Sequence, residues 1–260
     1  MDGALTPLER RLGKKLLEPL SNLINTTSAT SLLYECIQTC IVGLNEHPFL
    51  IKLCITKLRA FVEDPDQNLK YLGLLALHKI MQYHPKAVME HREMVITCLD
   101  GEDVTIRSRA LDLLTGMVTK RNIMEIVQKL MEKLEFAELE YADKLVEKII
   151  AICSQNTYGL ITDFEWYINV LMELTHVKNT SHGDLISSQL LDISIRVKAI
   201  RAVSVTNMVS LLRDPRLLTD SHVSNSLQEV LYAAAYIVGE FAELVDDHFQ
   251  VVEYLLQPRV

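Results

Sequence analysis

The sequence is poor in residues that punctuate a chain: nine glycines, seven prolines and one tryptophan among 260 positions, with 6% aromatic residues overall. So little Gly and Pro excludes a collagen-like or low-complexity chain, and a 49% apolar share excludes disorder. Cysteine is sparse too. Five thiols, an odd number, do not form a disulfide framework and suit a reducing compartment. Long apolar runs are missing: the longest without a charge, VLYAAAYIVG at 230–239, is half of the ~20 residues a bilayer-crossing helix needs. The amino terminus has no secretory apolar core or cleavage site, so the chain reads as cytosolic. Positive charge is in deficit as well. Lys and Arg number 26 against 34 Asp and Glu, a net charge of −8, which leaves no broad basic face and predicts no nucleic-acid partner. The length permits one large domain or a continuous array.

What is present is helical periodicity. Apolar residues recur three and four apart, as in Leu8, Leu12, Leu16, Leu20 and Leu23, and no stretch alternates with period two. Thr6-Pro7-Leu8-Glu9 offers a capping hydroxyl, a first-turn proline and a reciprocal carboxylate, and Asn122 with Glu125 repeats that box. Breaks fall at His47-Pro48, Asp64-Pro65, His84-Pro85 and Asp214-Pro215, because proline pushes the residue before it out of helical geometry. These signals predict helices over 7–24, 30–44, 48–63, 67–83, 86–99, 103–118, 122–134, 138–154, 163–176, 185–212 with an internal break, 222–244 and 247–256. The pairs recur about every 35 to 40 residues, near the interval of HEAT or armadillo repeats. The fold class is therefore all-α: an α-α superhelix, or solenoid, of about six helix pairs.

Internal similarity supports the array. DVTIRSRALDLL at 103–114 and DISIRVKAIRAV at 192–203 share a pattern, with a looser copy, DQNLKYLGLLAL, at 66–77. The first and second copies lie 37 residues apart; the 192 copy needs an insertion, placed at Val177–Asp184 or near Asn156–Gly159. In this reading Asp103 caps a helix start, Arg107 is placed to reach the adjacent repeat, and Asp103, Arg107, Asp192 and Arg196 form a structural ladder.

Templates for chemistry are absent: no GxGxxG, GxxxxGK, GxSxG, HExxH or paired CxxC occurs. Cys36 and Cys40 share a helix face without a second pair, so they read as core thiols, and the dispersed histidines are assigned no role. No catalytic, cofactor or metal residue is assigned, and the chain is read as not an enzyme. Glu125-Lys129-Lys133 and Glu140-Lys144-Lys148 read as solvated helix faces. Arg10, Arg11, Lys14 and Lys15 form a denser basic cluster suited to anionic lipid or an acidic subunit. From Asp220 onward seven acidic residues face one basic residue, Arg259, and there lies the most apolar helix. Its Ala233, Ala234, Ala235, Tyr236, Gly239 and Glu240 predict a helix covered on several sides. Too little sequence follows to cover it, which predicts a piece of a longer chain or a surface packed against another subunit.

GALTPLERRLGKKL, DQNLKYLGLLALHKI, CLDGEDVTIRSRALDLLTGMV, FEWYINVLMELT, LLDISIRVKAIR and EVLYAAAYIVGEF together resemble the adaptin large-subunit family, the delta-adaptins of the third heterotetrameric adaptor-protein complex in particular. FEWYI and AAAYIVGEF are the specific parts, with Tyr236 standing where the family pattern has tryptophan. The resemblance covers nearly all of residues 1–260. It implies the later part of an adaptin trunk solenoid, incomplete at both ends, acting as a non-catalytic scaffold without cofactors. It implies beta, medium and small adaptor subunits as partners, and cargo tails and a small GTPase engaged through the whole complex. It further implies a cytoplasmic protein held peripherally on Golgi and endosomal membranes, sorting transmembrane cargo to lysosomes and related organelles. Another HEAT scaffold, such as a transport receptor or phosphatase regulatory subunit, is the alternative.

Overall fold

The computed structural model describes residues 10–177, 181–214 and 226–256, and every regular element among them is helical. The chain divides into two compact units, Met1–Met117 and Val118–Val260.

In the first unit, α1 (Arg10–Thr26) pairs with α2 (Thr30–Gly43), and α3 (Pro48–Glu63) with α4 (Gln67–Met81). The short α5 (Pro85–Met89) packs back on α4, and α6 (Arg92–Thr97) faces α7 (Val104–Gly116). First members stack on first members, α1 on α3 and α3 on α5; second members do likewise, α2 on α4 and α4 on α7. The reason is visible in α3, which buries Leu50, Ile51, Cys54, Ile55, Leu58, Phe61 and Val62. That spacing makes an apolar stripe wide enough to meet two neighbours at once. Each fully buried Leu or Ile contributes ~1.5 to 3 kcal/mol of transfer free energy, so the layers hold mainly by this stripe.

The second unit repeats the plan with α8 (Ile123–Leu134) and α9 (Leu139–Tyr158), α10 (Phe164–Leu174) and α11 (Gly183–Arg196), and α12 (Arg201–Arg213) and α13 (Ser226–Glu240). A final helix, α14 (His248–Leu256), packs on α12. Six pairs are thus described, as the periodicity predicts.

Polar side chains reveal the interval directly. Arg109 donates to the Tyr71 hydroxyl at 3.1 Å, Ser181 N–H to Asp143 at 3.0 Å and Asn207 to Asn169 at 3.5 Å, all across 38 residues. Across 39 residues His84 Nε2 meets the Asn45 carbonyl at 2.5 Å, and across 41 Lys79 donates to Gln38 at 2.9 Å. Each is a rung between neighbouring pairs.

Three expectations change. The helix predicted over 86–99 is interrupted at Glu90–His91, where a tightened His91 N–H to Val88 carbonyl bond of 3.0 Å closes one helix before the next begins. Asn122 makes no cap bond toward α8; its side-chain oxygen instead accepts from Thr119 N–H at 2.6 Å and Thr119 Oγ at 2.9 Å. The break expected inside 185–212 is present and falls at Val197, whose φ of −101° and ψ of 93° end α11. The third concerns the proposed repeat. Residues 103–114 open and fill α7, whereas 192–203 straddle the last turn of α11, a 3-10 turn at Lys198–Ile200 and the start of α12. Those two segments are not equivalent. The copies at 66 and 103 do match: Asp66 caps α4 by accepting from Asn68 N–H, and Asp103 caps α7 by accepting from Thr105 and Ile106 N–H. The box at Thr6–Glu9 lies outside the described residues, as does part of the polar stretch after Val177.

Candidate partner and membrane surfaces

The four ladder residues separate into two settings. Asp103 holds the N-terminus of α7, and the Thr105 hydroxyl and backbone bonds keep its carboxyl below the usual carboxylate range. Arg107, one turn on, is half-buried. Asp192 is not a cap. It lies one turn from the end of α11, pairs with Arg196 at 2.7 Å and accepts from the Tyr158 hydroxyl at 2.7 Å. The Asp192–Arg196 pair is therefore local to one helix turn rather than a link between repeats.

Tyr158 is a functional-looking residue that sequence patterns did not single out. Asn156, Thr157 and Tyr158 have φ of 50°, 55° and 62°, three consecutive left-handed residues without a glycine. A β-branched residue there is strained. The turn swings Tyr158 toward α11, where its hydroxyl oxygen also lies 2.9 Å from the Gln189 side-chain oxygen, and its ring meets Phe164 edge-on at 6.1 Å. Burial, then the hydrogen bond to Asp192, pushes its phenol up. Tyr167, fully buried beside it, donates to the same Gln189 oxygen at 3.3 Å.

The α13 surface is divided. Ala233 and Ala234 are buried against α11 and α12, and Ala235 is half-buried. Tyr236, Gly239 and Glu240 are exposed, and Tyr232 lies on the same side as Tyr236 one turn before it. The coverage predicted for Tyr236, Gly239 and Glu240 is thus not supplied by α11 or α12, which meet only the alanine side. On α14, Phe249, Val252 and Leu256 are exposed at helical spacing while Val251 is buried.

Of the basic cluster, the backbones of Arg10 and Arg11 open α1, and Lys14 and Lys15 are exposed on its second turn. The thiols are core groups: Cys36, Cys40, Cys54 and Cys153 are buried and Cys98 is half-buried. The hydrogen bond between Cys40 and Cys54, together with burial, pushes the Cys54 thiol up, and burial pushes Cys153 up to about 12. Such thiols stay protonated and inert. Among the described residues no three His, Cys, Asp or Glu side chains gather as a metal site, and no helix is long and apolar enough to cross a membrane. A cavity of about 430 Å³ in the first unit is lined by Val62, Ile106, Lys70, Cys98 and the Arg59–Glu63 ion pair of 2.7 Å. Its one carboxylate is engaged and no histidine lines it, so it lacks an acid–base pair.

Known proteins match the chain along nearly its whole length. Over 257 residues it is 56% identical to the AP-3 complex subunit delta of Dictyostelium discoideum, covering 99% of this chain and 22% of that protein. It is 54% identical over 266 residues to the AP-3 complex subunit delta-1 of Bos taurus, again 99% and 22%. The chain thus spans about a fifth of the length of these relatives. In three dimensions it matches a chain of a homology model of the full-length AP-3 complex in an intermediate open conformation. There the TM-score is 0.73 at 27% identity, over 96% of this chain and 48% of that one. The helix-pair array is accordingly an α-solenoid of the kind found in that complex. The family profile described as Adaptin N terminal region matches residues 3–258, and the chain belongs to that adaptin family.

Proposed function

We propose that the chain is a non-enzymatic scaffold segment of a large subunit in a heterotetrameric vesicle-coat adaptor complex. Its work is geometric: stacked helix pairs hold partner subunits in a fixed register through exposed helix faces. The beta, medium and small adaptor subunits are the partners, and cargo tails and a small GTPase are engaged through the assembled complex. The assembly acts at the cytoplasmic face of Golgi and endosomal membranes, bound peripherally, and sorts transmembrane cargo to lysosomes and related organelles. Nucleic acid has no part in it.

The observation that carries this reading is identity above one half over 99% of the chain to delta subunits from two distant organisms. The exposed apolar stripes on α13 and α14 support it, because a monomer seldom leaves such side chains in water without a partner. Co-expression of a large subunit carrying this segment with beta, medium and small adaptor subunits tests it. Retention of all four through affinity purification and size exclusion is the expected result. Failure to retain any of them, with the chain folded, rejects the reading.

A further inference from the structure

The first unit gathers helix ends along one edge. Short turns at 27–29, 44–47, 64–66 and 82–84 reverse the chain each time. The start of α1, the end of α2, the start of α3, the end of α4 and the start of α5 therefore share one side. Two contacts tie them together: a Cβ at Gly13 would lie 3.2 Å from Leu44 Cδ2, and His84 reaches the Asn45 carbonyl at 2.5 Å.

Large apolar side chains stand in water on that edge. Phe49 is 77% exposed, Tyr83 57% and Val42 51%, although their neighbours Leu50, Ile51 and Ile41 are core. Charge on the same edge runs against that of the whole chain. Lys14, Lys15, Lys52 and Lys86 are exposed there, opposed by the carboxylates of Glu18, Glu46 and Glu90, in a chain whose net charge is −8. The sequence adds Arg10 and Arg11 at the start of α1.

We propose that this edge docks on an anionic lipid surface, with Phe49 and Tyr83 entering the headgroup layer and the surrounding ammonium groups meeting lipid phosphates and carboxylates. Aromatic side chains are stable at that depth, where one end is apolar and the other wet. Each Lys near an anionic leaflet strengthens binding on the order of fivefold. Rings and lysines share this one edge, and an anionic leaflet meets both at once, with a headgroup layer for the rings and phosphates for the ammonium groups. The inference deepens the peripheral-membrane part of the proposed function and rests on it.

Vesicle binding tests it with the intact chain. The protein should sediment with phosphatidylcholine vesicles containing about 30% phosphatidylserine and not with phosphatidylcholine alone. Joint Lys14→Glu and Lys15→Glu, and separately Lys52→Glu with Lys86→Glu, should each weaken that binding by about tenfold or more while the circular dichroism is unchanged. In a Trp166→Phe background, Phe49→Trp should move its emission to the blue when anionic vesicles are added. No sedimentation, equal binding to neutral vesicles, indifference to both charge reversals, or an unmoved emission from Phe49→Trp would each overturn the proposal. Subunit co-purification is scored separately. Intact assembly with no vesicle binding sinks the membrane edge alone.

Discussion

Each unit has an Asp-capped helix start, Asp163 in the second, but the turns that lead into them are held by different physical means. In residues 1–117 the turns are short, and Asp66 and Asp103 cap α4 and α7 by accepting backbone N–H bonds two and three residues ahead. Direction is set locally, and packing has only to hold the layers. In residues 118–260 the α9–α10 connection passes through three left-handed residues, 156 to 158, and leans on α11 through hydroxyl-to-carboxylate and hydroxyl-to-amide contacts 34 and 31 residues away respectively. That turn has no local preference for its shape, so tertiary contacts must enforce it. The first unit should therefore tolerate loss of distant polar contacts better than the second.

Ala234→Arg should do the greatest damage, because it forces a guanidinium into a fully buried site on α13. A loss of at least ~3 kcal/mol is expected, read by urea unfolding, with hydrogen exchange rising in α11 to α13 while α3 and α4 keep their protection. Equal loss in both units would break the comparison. Next, Gly73→Val attacks the first unit, where a Cβ would lie 2.8 Å from Val62 Cγ2 and 3.2 Å from Phe61 Cβ. Overpacking of about 1 to 3 kcal/mol should follow. Gly116→Ala should cost less than about 1 kcal/mol, since only the flexible end of Met81 stands in the way. Tyr158→Phe should cost about 1 to 2 kcal/mol and raise exchange in the 155–163 connection. An unchanged melting midpoint would show that the left-handed turn holds itself.

Smaller still, Asp163→Ala removes the α10 cap that accepts from Glu165 and Trp166 N–H, at about 1 kcal/mol. The subtlest difference is in pH response. Thr105 holds the Asp103 carboxyl below its ordinary value, so folding favours the charged form. That contribution is present above about pH 4, where the unfolded carboxyl is ionised, and is lost as pH falls through the lower folded value. An NMR titration of Asp103 should move upward in Thr105→Val; no movement would discount the hydroxyl.

Helices and their interval were legible because burial writes its period into the sequence. The predicted span 48–63 is α3 itself, and the 37-residue step from Asp66 to Asp103 reappears in rungs of 38 to 41. The false repeat at Asp192 has a simple cause. An Asp followed by Ser, Ile and Arg fits the final turn of a helix, where Asp192 and Arg196 pair four apart, as well as the first, and only packing distinguishes them. Two surface features escaped for related reasons. Nothing in Asn156-Thr157-Tyr158 signals positive φ beyond one asparagine, and Phe49 after Pro48 resembles any core-bound first-turn residue. The basic cluster could be seen, but not the aromatic edge beside it, because that edge is assembled from turns far apart in sequence.

The rungs between neighbouring pairs have a mechanical consequence. Those at Arg109–Tyr71 and Asn207–Asn169 lie at exposed positions, where water can replace either partner with little loss. Within each unit, giving up such a rung to solvent leaves the apolar layer beneath it sealed, so the buried stripe rather than the polar rung decides how firmly neighbouring pairs hold.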